Sequence, residues 1–418
     1  MTDTFTLKFP TLLGVLLLAA LTPFTSAAQG NPLTRTANNM TEFCGKGQAE
    51  YPGGIARMHP SFKFNLCWWL EDAGIDLATF DEVAGALPDN AGPLHPAWQA
   101  IFGKAAQLHL EKAHIAEDRG EGQSASAEYR KAAFYWRLNR LPKQTPAADL
   151  QATERAYAVL GQPLQRVRLR TGEKEFVGYF RARPAQSGRN EKPPVLVILG
   201  GLDNLKTEMI RHSDYFMGRG FATLVVENPD TGENPLEFRP ESSAMLDTVA
   251  DYIRSRGDLD TGRVAVYGWS MGGYLGTLGG LRNDIYKAVV NIGGPSDSSF
   301  GPEHCEKAPA WIVAPYTVFA NMNPLTTPRQ AMCRYYEAFR LSSQLKMPSA
   351  AQLRKPILMV NGAREDLVSG DEPASLAALG FNVTQLVYGE DGHTAESHMR
   401  EHLEFTANWL LQRLRAGD

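Results

Sequence analysis

Six short apolar runs punctuate the sequence between residues 195 and 387: Val195–Leu199, Ala222–Val226, Val264–Tyr267, Ala288–Ile292, Ile357–Val360 and Val383–Val387. Runs this short and this continuous suit strands buried on both faces of a parallel sheet, not strands with one wet face. Helical patterns lie between them, for example Ser242–Ser255, Ser270–Leu281 and Ala395–Leu414. Strands alternating with helices predict an α/β fold with a doubly wound, mostly parallel sheet. A hairpin precedes the first run. Val167 and Leu169 alternate with Arg166, Arg168 and Arg170, Thr171-Gly172 makes the turn, and Phe176 to Arg181 alternates back. The three arginines read as the exposed face of a strand.

Upstream of Leu164 the period is helical. Three helices are expected: His95–Glu117, a second from Ala125 to Leu141 with Ser124 as its cap, and Ala147–Leu160. The chain therefore divides into an all-helical unit at about 40–163 and an α/β unit at about 164–418. Trp68, Trp69, Trp98, Tyr135 and Trp136 read more simply as the core of the helical unit than as an aromatic pocket. Gly294 to Lys355 falls between two core strands and is longer than an ordinary connection, so an additional lid element is expected there.

Residues 1–28 read as a signal peptide. Lys8 precedes the apolar run Leu12–Leu21, and Ser26-Ala27-Ala28 supplies small residues before a cleavage site. The run is short for a membrane span. A secreted or periplasmic protein is expected, with no stable membrane association after cleavage. Four cysteines fit an oxidising compartment. The economical pairing is 44–67 and 305–333, with the other pairings open. No cysteine or histidine spacing suggests a metal. The net charge of −4 gives no reason to expect nucleic acid as a partner. A homodimer is left open.

The chemistry centres on Gly268-Trp269-Ser270-Met271-Gly272. A strand precedes it and a helical run follows, and this GxSxG context pushes a serine hydroxyl out on a tight turn. Ser270 is the expected nucleophile, at a helix N-terminus that favours developing negative charge. A serine alcohol needs a base. His393 lies in the loop after the last strand, where the base belongs in the order serine, acid, histidine. His398 is the rival, placed within the following helix, and His212 and His304 lie elsewhere. The acid should follow Ile357–Val360, where both Glu365 and Asp366 stand. Loop spacing favours Glu365; residue type gives Asp366 a slight lead. For the oxyanion hole, Met271 should supply one backbone N–H. Leu202 should supply the other, with Gly201 as alternative. Trp269 is expected to border the site, and Glu233 either reaches the pocket mouth or is a solvated loop charge. No cofactor is called for.

Three stretches carry a family resemblance: Leu199–Glu208, with its GGL-x-x-x-K-E pattern; Glu227–Glu233, with Glu227 where aspartate is usual; and Ser126–Trp136. Together they resemble the α/β-hydrolase group that holds the FrsA-like esterases, a fungal pigment-pathway chain-shortening hydrolase and 2,6-dihydroxypseudooxynicotine hydrolase. The likeness runs from about Phe62 to the C-terminus. It implies the α/β-hydrolase fold with an N-terminal helical cap over the site. It also implies a small-molecule substrate, either an ester or a ketone whose C–C bond to an acyl carbon is cleaved. The expected activity is a serine hydrolase. The alternatives are a serine peptidase or acyl-aminopeptidase, and a non-catalytic binding protein on the same fold.

Overall fold

The computed structural model describes residues 53–58, 66–92, 95–139, 147–183, 192–202, 204–308, 310–317, 320, 322–323, 326–389 and 391–415. The signal segment, Cys44 and the side chains of Cys67 and Trp68 lie outside the described residues.

Among the described residues, eight strands make one sheet: β1 Gln165–Thr171, β2 Lys174–Arg181, β3 Val195–Leu199, β4 Ala222–Val226, β5 Val264–Trp269, β6 Tyr286–Ile292, β7 Pro356–Gly362 and β8 Asn382–Tyr388. Their order is β1-β2-β4-β3-β5-β6-β7-β8. The hairpin β1–β2 joins β4 antiparallel, and every pairing from β4 onward is parallel. This is the doubly wound α/β-hydrolase sheet. The strands at its centre, β3, β4 and β5, are buried along their whole length, as continuous apolar runs require. β8 departs from that expectation. It is the sheet edge, so its residues are only partly covered and Val387 is 46% exposed.

Among the described residues, five helices precede the sheet: α1 Leu66–Ala73, α2 Leu77–Ala84, α3 Pro96–Asp118, α4 Gly122–Leu138 and α5 Ala147–Ala158. α4 begins two residues ahead of Ser124, without a side-chain cap, so Ser124 is not the cap expected of it. Trp98, Phe102, Phe134 and Tyr135 are fully buried with Phe80 in the centre of this helical region, and Trp69 and Trp136 pack against them. The aromatic residues are thus its core. The helical region is fastened to the sheet domain by apolar and polar contacts. Tyr129, Ala133, Ala156 and Tyr157 share one cluster with Tyr179, Met209 and Ile210. Tyr157 donates its hydroxyl to Asp214 at 2.5 Å, and Glu71 pairs with Arg211 at 2.9 Å and with Arg400.

The remaining helices follow the strands: α6 Ile210–Gly218, α7 Met245–Ser255, α8 Met271–Arg282, α9 Pro302–Lys307, α10 Ala310–Thr317, α11 Arg329–Tyr336, α12 Leu341–Gln344, α13 Ala350–Arg354, α14 Glu372–Ala378 and α15 Met399–Arg413. α9 to α13 belong to the long β6–β7 connection. The disulfide Cys305–Cys333 joins α9 to α11. Phe300, Tyr316, Tyr336 and Phe339 of this segment pack with Met271, Tyr274, Leu275 and Leu278 of α8, and Leu202 lies against the same cluster. α15 starts four residues later than the helical pattern suggests. His393–His398 form a tight 3-10 turn, in which Thr394 and Ala395 have left-handed backbones.

Candidate active site

Ser270 is the single residue between β5 and α8. Its backbone is at φ 51°, ψ −118°, a conformation that costs about 1–3 kcal/mol for a residue with a side chain. The neighbouring glycines make the turn feasible. A Cβ at Gly268 would lie 2.0 Å from Gly272 O, and one at Gly272 would lie 2.4 Å from Gly200 O. The turn is fixed by Ser270 N–H donating to Ile292 O at 2.7 Å.

The Ser270 hydroxyl lies 2.9 Å from His393 Nε2, and His393 Nδ1 lies 2.7 Å from Glu365 Oε2. Since a carboxylate accepts, Nδ1 carries the proton and Nε2 is left to receive that of Ser270. The Glu365 and His393 side chains are almost wholly buried, at 2% and 5% exposure. Glu365 also accepts from Asn361 Nδ2 at 2.7 Å, Leu367 N–H at 2.7 Å and Val368 N–H at 3.1 Å. Burial works to raise its pKa, but the bonds from His393, Leu367 and Asn361 outweigh it and hold the carboxyl below the usual carboxylate range.

The lead given to Asp366 is therefore corrected. Asp366 is exposed, whereas Glu365 points inward, because the 365–368 backbone folds its own N–H groups around that carboxylate. His398 stands apart from Ser270's partners: its Nδ1 is 2.8 Å from Asp391 and its ring stacks on Tyr388 at 4.5 Å. His304 reaches the Leu367 carbonyl at 3.3 Å.

The loop after β3 meets the elbow directly, since a Cβ at Gly201 would lie 3.5 Å from Ser270 Cβ. Gly201 N–H, the alternative oxyanion donor, is engaged with Asn204 Oδ1 at 2.8 Å. Asn228 Nδ2 donates to the carbonyls of Gly200 and Gly201 at 2.9 and 2.8 Å, and Glu208 holds Asn204 Nδ2 at 2.9 Å.

One expected substrate contact, Trp269, is corrected, and Glu233 is found in a charge network. Trp269 is 7% exposed, its ring 5.4 Å from His212 and 6.0 Å from His402. The alternation of β5 sends Ala265, Tyr267 and Trp269 to one face, into the core. Glu233 is taken up by charge pairing. It sits 2.6 Å from Lys206 Nζ and 2.6 Å from Arg166. Lys206, whose side chain is completely buried, also reaches Glu227 at 3.0 Å. Burial works to raise Glu233's pKa, but Arg166 and Lys206 keep its carboxyl below its usual range. The asparagines 204, 228 and 361 were not singled out in the sequence. The signal of Asn228 and Asn361 is a short amide near a strand end, and that of Asn204 a short amide in a turn-rich loop, positions where asparagine is common.

The Esterase FrsA-like family model matches residues 91–415. The chain belongs to the FrsA-like esterase family. Within this FrsA-like group it is 26% identical to Esterase FrsA of Vibrio cholerae over 327 residues, 76% of each chain. It is 27% identical to the alpha/beta hydrolase ucsC of an Acremonium species over 279 residues. That match takes in 58% of this chain and spans about half, 54%, of the Acremonium protein. Among solved structures, 2,6-dihydroxy-pseudo-oxynicotine hydrolase superposes with a TM-score of 0.67 at 16% identity, covering 84% of this chain and 96% of the other. Wild-type AbyA5 superposes with a TM-score of 0.59 at 21% identity, covering 80% and 89%. At these identities the solved structures bear on the fold alone. Among the described residues, no helix is long and apolar enough to cross a membrane, and no group of acidic, histidine or cysteine side chains is arranged to hold a metal.

Proposed function

We infer that the protein is a serine hydrolase that cleaves an ester, or a C–C bond beside a ketone, through an acyl-enzyme on Ser270. The observation that carries this reading is the line Ser270 Oγ–His393 Nε2, His393 Nδ1–Glu365 Oε2, at 2.9 and 2.7 Å. His393 takes the Ser270 proton as the oxygen attacks the substrate carbonyl, and Glu365 stabilises the imidazolium that results. The Leu202 and Met271 N–H groups receive the oxyanion. His393 then gives its proton to the leaving alkoxide, or to the carbanion or enolate when a C–C bond breaks. Water attacks the acyl-enzyme with His393 again as base, and Ser270 is regenerated. Family membership supports the esterase side of this reading, and a small-molecule substrate fits it.

The protein acts outside the cytosol in this reading. The N-terminal signal pattern and the Cys305–Cys333 disulfide both favour export. Mature protein recovered from culture medium or periplasm should begin near Gln29; an intact N-terminus in the cytosolic fraction would count against it.

The deciding experiment is a screen of aryl esters, β-diketones and peptide anilides with wild type and Ser270→Ala, beside labelling by a fluorophosphonate. Wild type should label on Ser270 and turn over at least one acyl substrate that the variant does not. A folded wild type that acquires no adduct on Ser270 ends the proposal. Preferential turnover of anilides would favour the peptidase alternative.

A further inference from the structure

One amide side chain holds both partners of the Ser270 line. Asn361, near the end of β7, donates from Nδ2 to Glu365 Oε2 at 2.7 Å, the oxygen that also accepts from His393. Its Oδ1 accepts from Thr394 N–H at 2.9 Å and from Gly362 N–H at 3.0 Å. Thr394 directly follows His393, and it and Ala395 are two consecutive non-glycine residues with left-handed backbones, at φ 64° and 52°. Such a pair persists only where its surroundings over-determine it. The Asn361 carbonyl supplies one constraint; the others are Ala395 N–H on Gly392 O at 3.2 Å and the close packing of Thr394 on Gly293.

The acid itself needs this help. A glutamate has one more side-chain torsion than an aspartate, and that freedom must be removed for the carboxylate to meet His393 in one orientation. Leu367 and Val368 N–H groups hold Oε1, and Asn361 holds Oε2. Both oxygens are therefore anchored within the 361–368 segment before His393 is engaged.

We propose that Asn361 is a positioning residue for the reaction, setting the distance between Glu365 and His393 by binding the carboxylate of one and the backbone after the other. It acts through these two groups and does not touch substrate. The inference rests on the serine-hydrolase reading above.

The test is the rate of fluorophosphonate labelling of Ser270, followed from pH 6 to 9 in wild type, Asn361→Ala and Asn361→Asp. Labelling needs no knowledge of the substrate. A wild type that does not label overturns the serine-hydrolase reading itself. Given wild-type labelling, Asn361→Ala should react about 10–100-fold more slowly, the scale of loss when a reacting group is displaced by about 1 Å. Asn361→Asp keeps the acceptor for Thr394 but sets a second carboxylate against Glu365. The added negative charge makes His393 hold its proton more tightly, so the acid limb of the profile moves to higher pH. A side chain at position 361 that did not face the Glu365–His393 pair would leave that limb where it is. Labelling of folded Asn361→Ala within twofold of wild type, or an unshifted limb in Asn361→Asp, overturns the proposal. If Asn361→Ala is recovered unfolded, the near-isosteric Asn361→Asp carries the comparison alone.

Discussion

Glu365 meets His393 Nδ1 at 2.7 Å while the neighbouring Asp366 is exposed. Adjacent carboxylates thus divide into one buried beneath the base and one in solvent. Glu365→Gln should keep the side chain's shape but no longer stabilise the imidazolium, and its amide can favour the wrong tautomer. A fall in kcat of roughly 10³–10⁴-fold is expected. Asp366→Asn should stay within about twofold of wild type, because its side chain is exposed and outside the Ser270–His393–Glu365 line. Steady-state kinetics on one ester substrate checks both, and equal losses in the two variants would overturn the assignment.

Lys206 is buried between Glu227 and Glu233. Lys206→Met should leave Glu227 as an uncompensated buried charge and cost about 3–5 kcal/mol in urea unfolding. Adding Glu227→Gln should recover part of that loss, because the orphaned charge is then gone. The single variant should also lower kcat, since Lys206 lies on the loop that carries Leu202. Two variants of equal stability would show that the pair contributes little.

His402 is buried with its pKa lowered to about 3, first by desolvation, and among the described residues its ring nitrogens have no hydrogen-bond partner. Its folded pKa lies below the ordinary histidine value near 6.5, so the unfolded chain binds the extra proton. Stability is then fully present above about pH 6.5 and is lost as pH falls toward 3. Between pH 7 and pH 5 this group alone should cost about 2 kcal/mol. Chemical denaturation of wild type and His402→Leu at the two pH values should show a shallower acid loss in the variant. Parallel losses would assign the acid sensitivity elsewhere.

Cys305 and Cys333 lie 28 residues apart. Replacing both with serine releases a loop whose closure is worth about 3.5 kcal/mol in the chain-entropy view. The loss should concentrate in the segment they close, so limited proteolysis ought to cut between residues 302 and 336 faster in the variant than in the oxidised wild type. Unchanged cleavage there would mean the aromatic packing on α8 holds the segment unaided.

What could be read in advance follows from how local each signal is. The central apolar runs fix β3, β4 and β5 because burial on both faces leaves little other pattern, and the elbow is legible because strand, glycines and helix all adjoin Ser270. The choice between Glu365 and Asp366 was not legible. It depends on which carboxylate the Leu367 and Val368 N–H groups wrap around, a property of backbone conformation. Trp269 misled because adjacency to Ser270 in sequence says nothing about the face to which β5 turns its ring. The charge network of Glu233 is hidden for a related reason: Arg166 and Lys206 are 67 and 27 residues away along the chain. The amides of Asn228 and Asn361 join segments that meet only in the fold, whereas Asn204 works within its own loop, between Gly201 and Glu208.

The aromatic side chains Phe300, Tyr316, Tyr336 and Phe339, in the cluster that holds Met271 and Leu202, come from the β6–β7 connection, outside the strands of the sheet. The connection's own crosslink keeps it together as a unit. Selection can therefore reshape that wall, exchanging ring for ring or lengthening the connection, while the strand register and the elbow stay as they are. Divergence of substrate preference among relatives with an unchanged serine, histidine and carboxylate would then be recorded in this stretch of sequence rather than around the nucleophile.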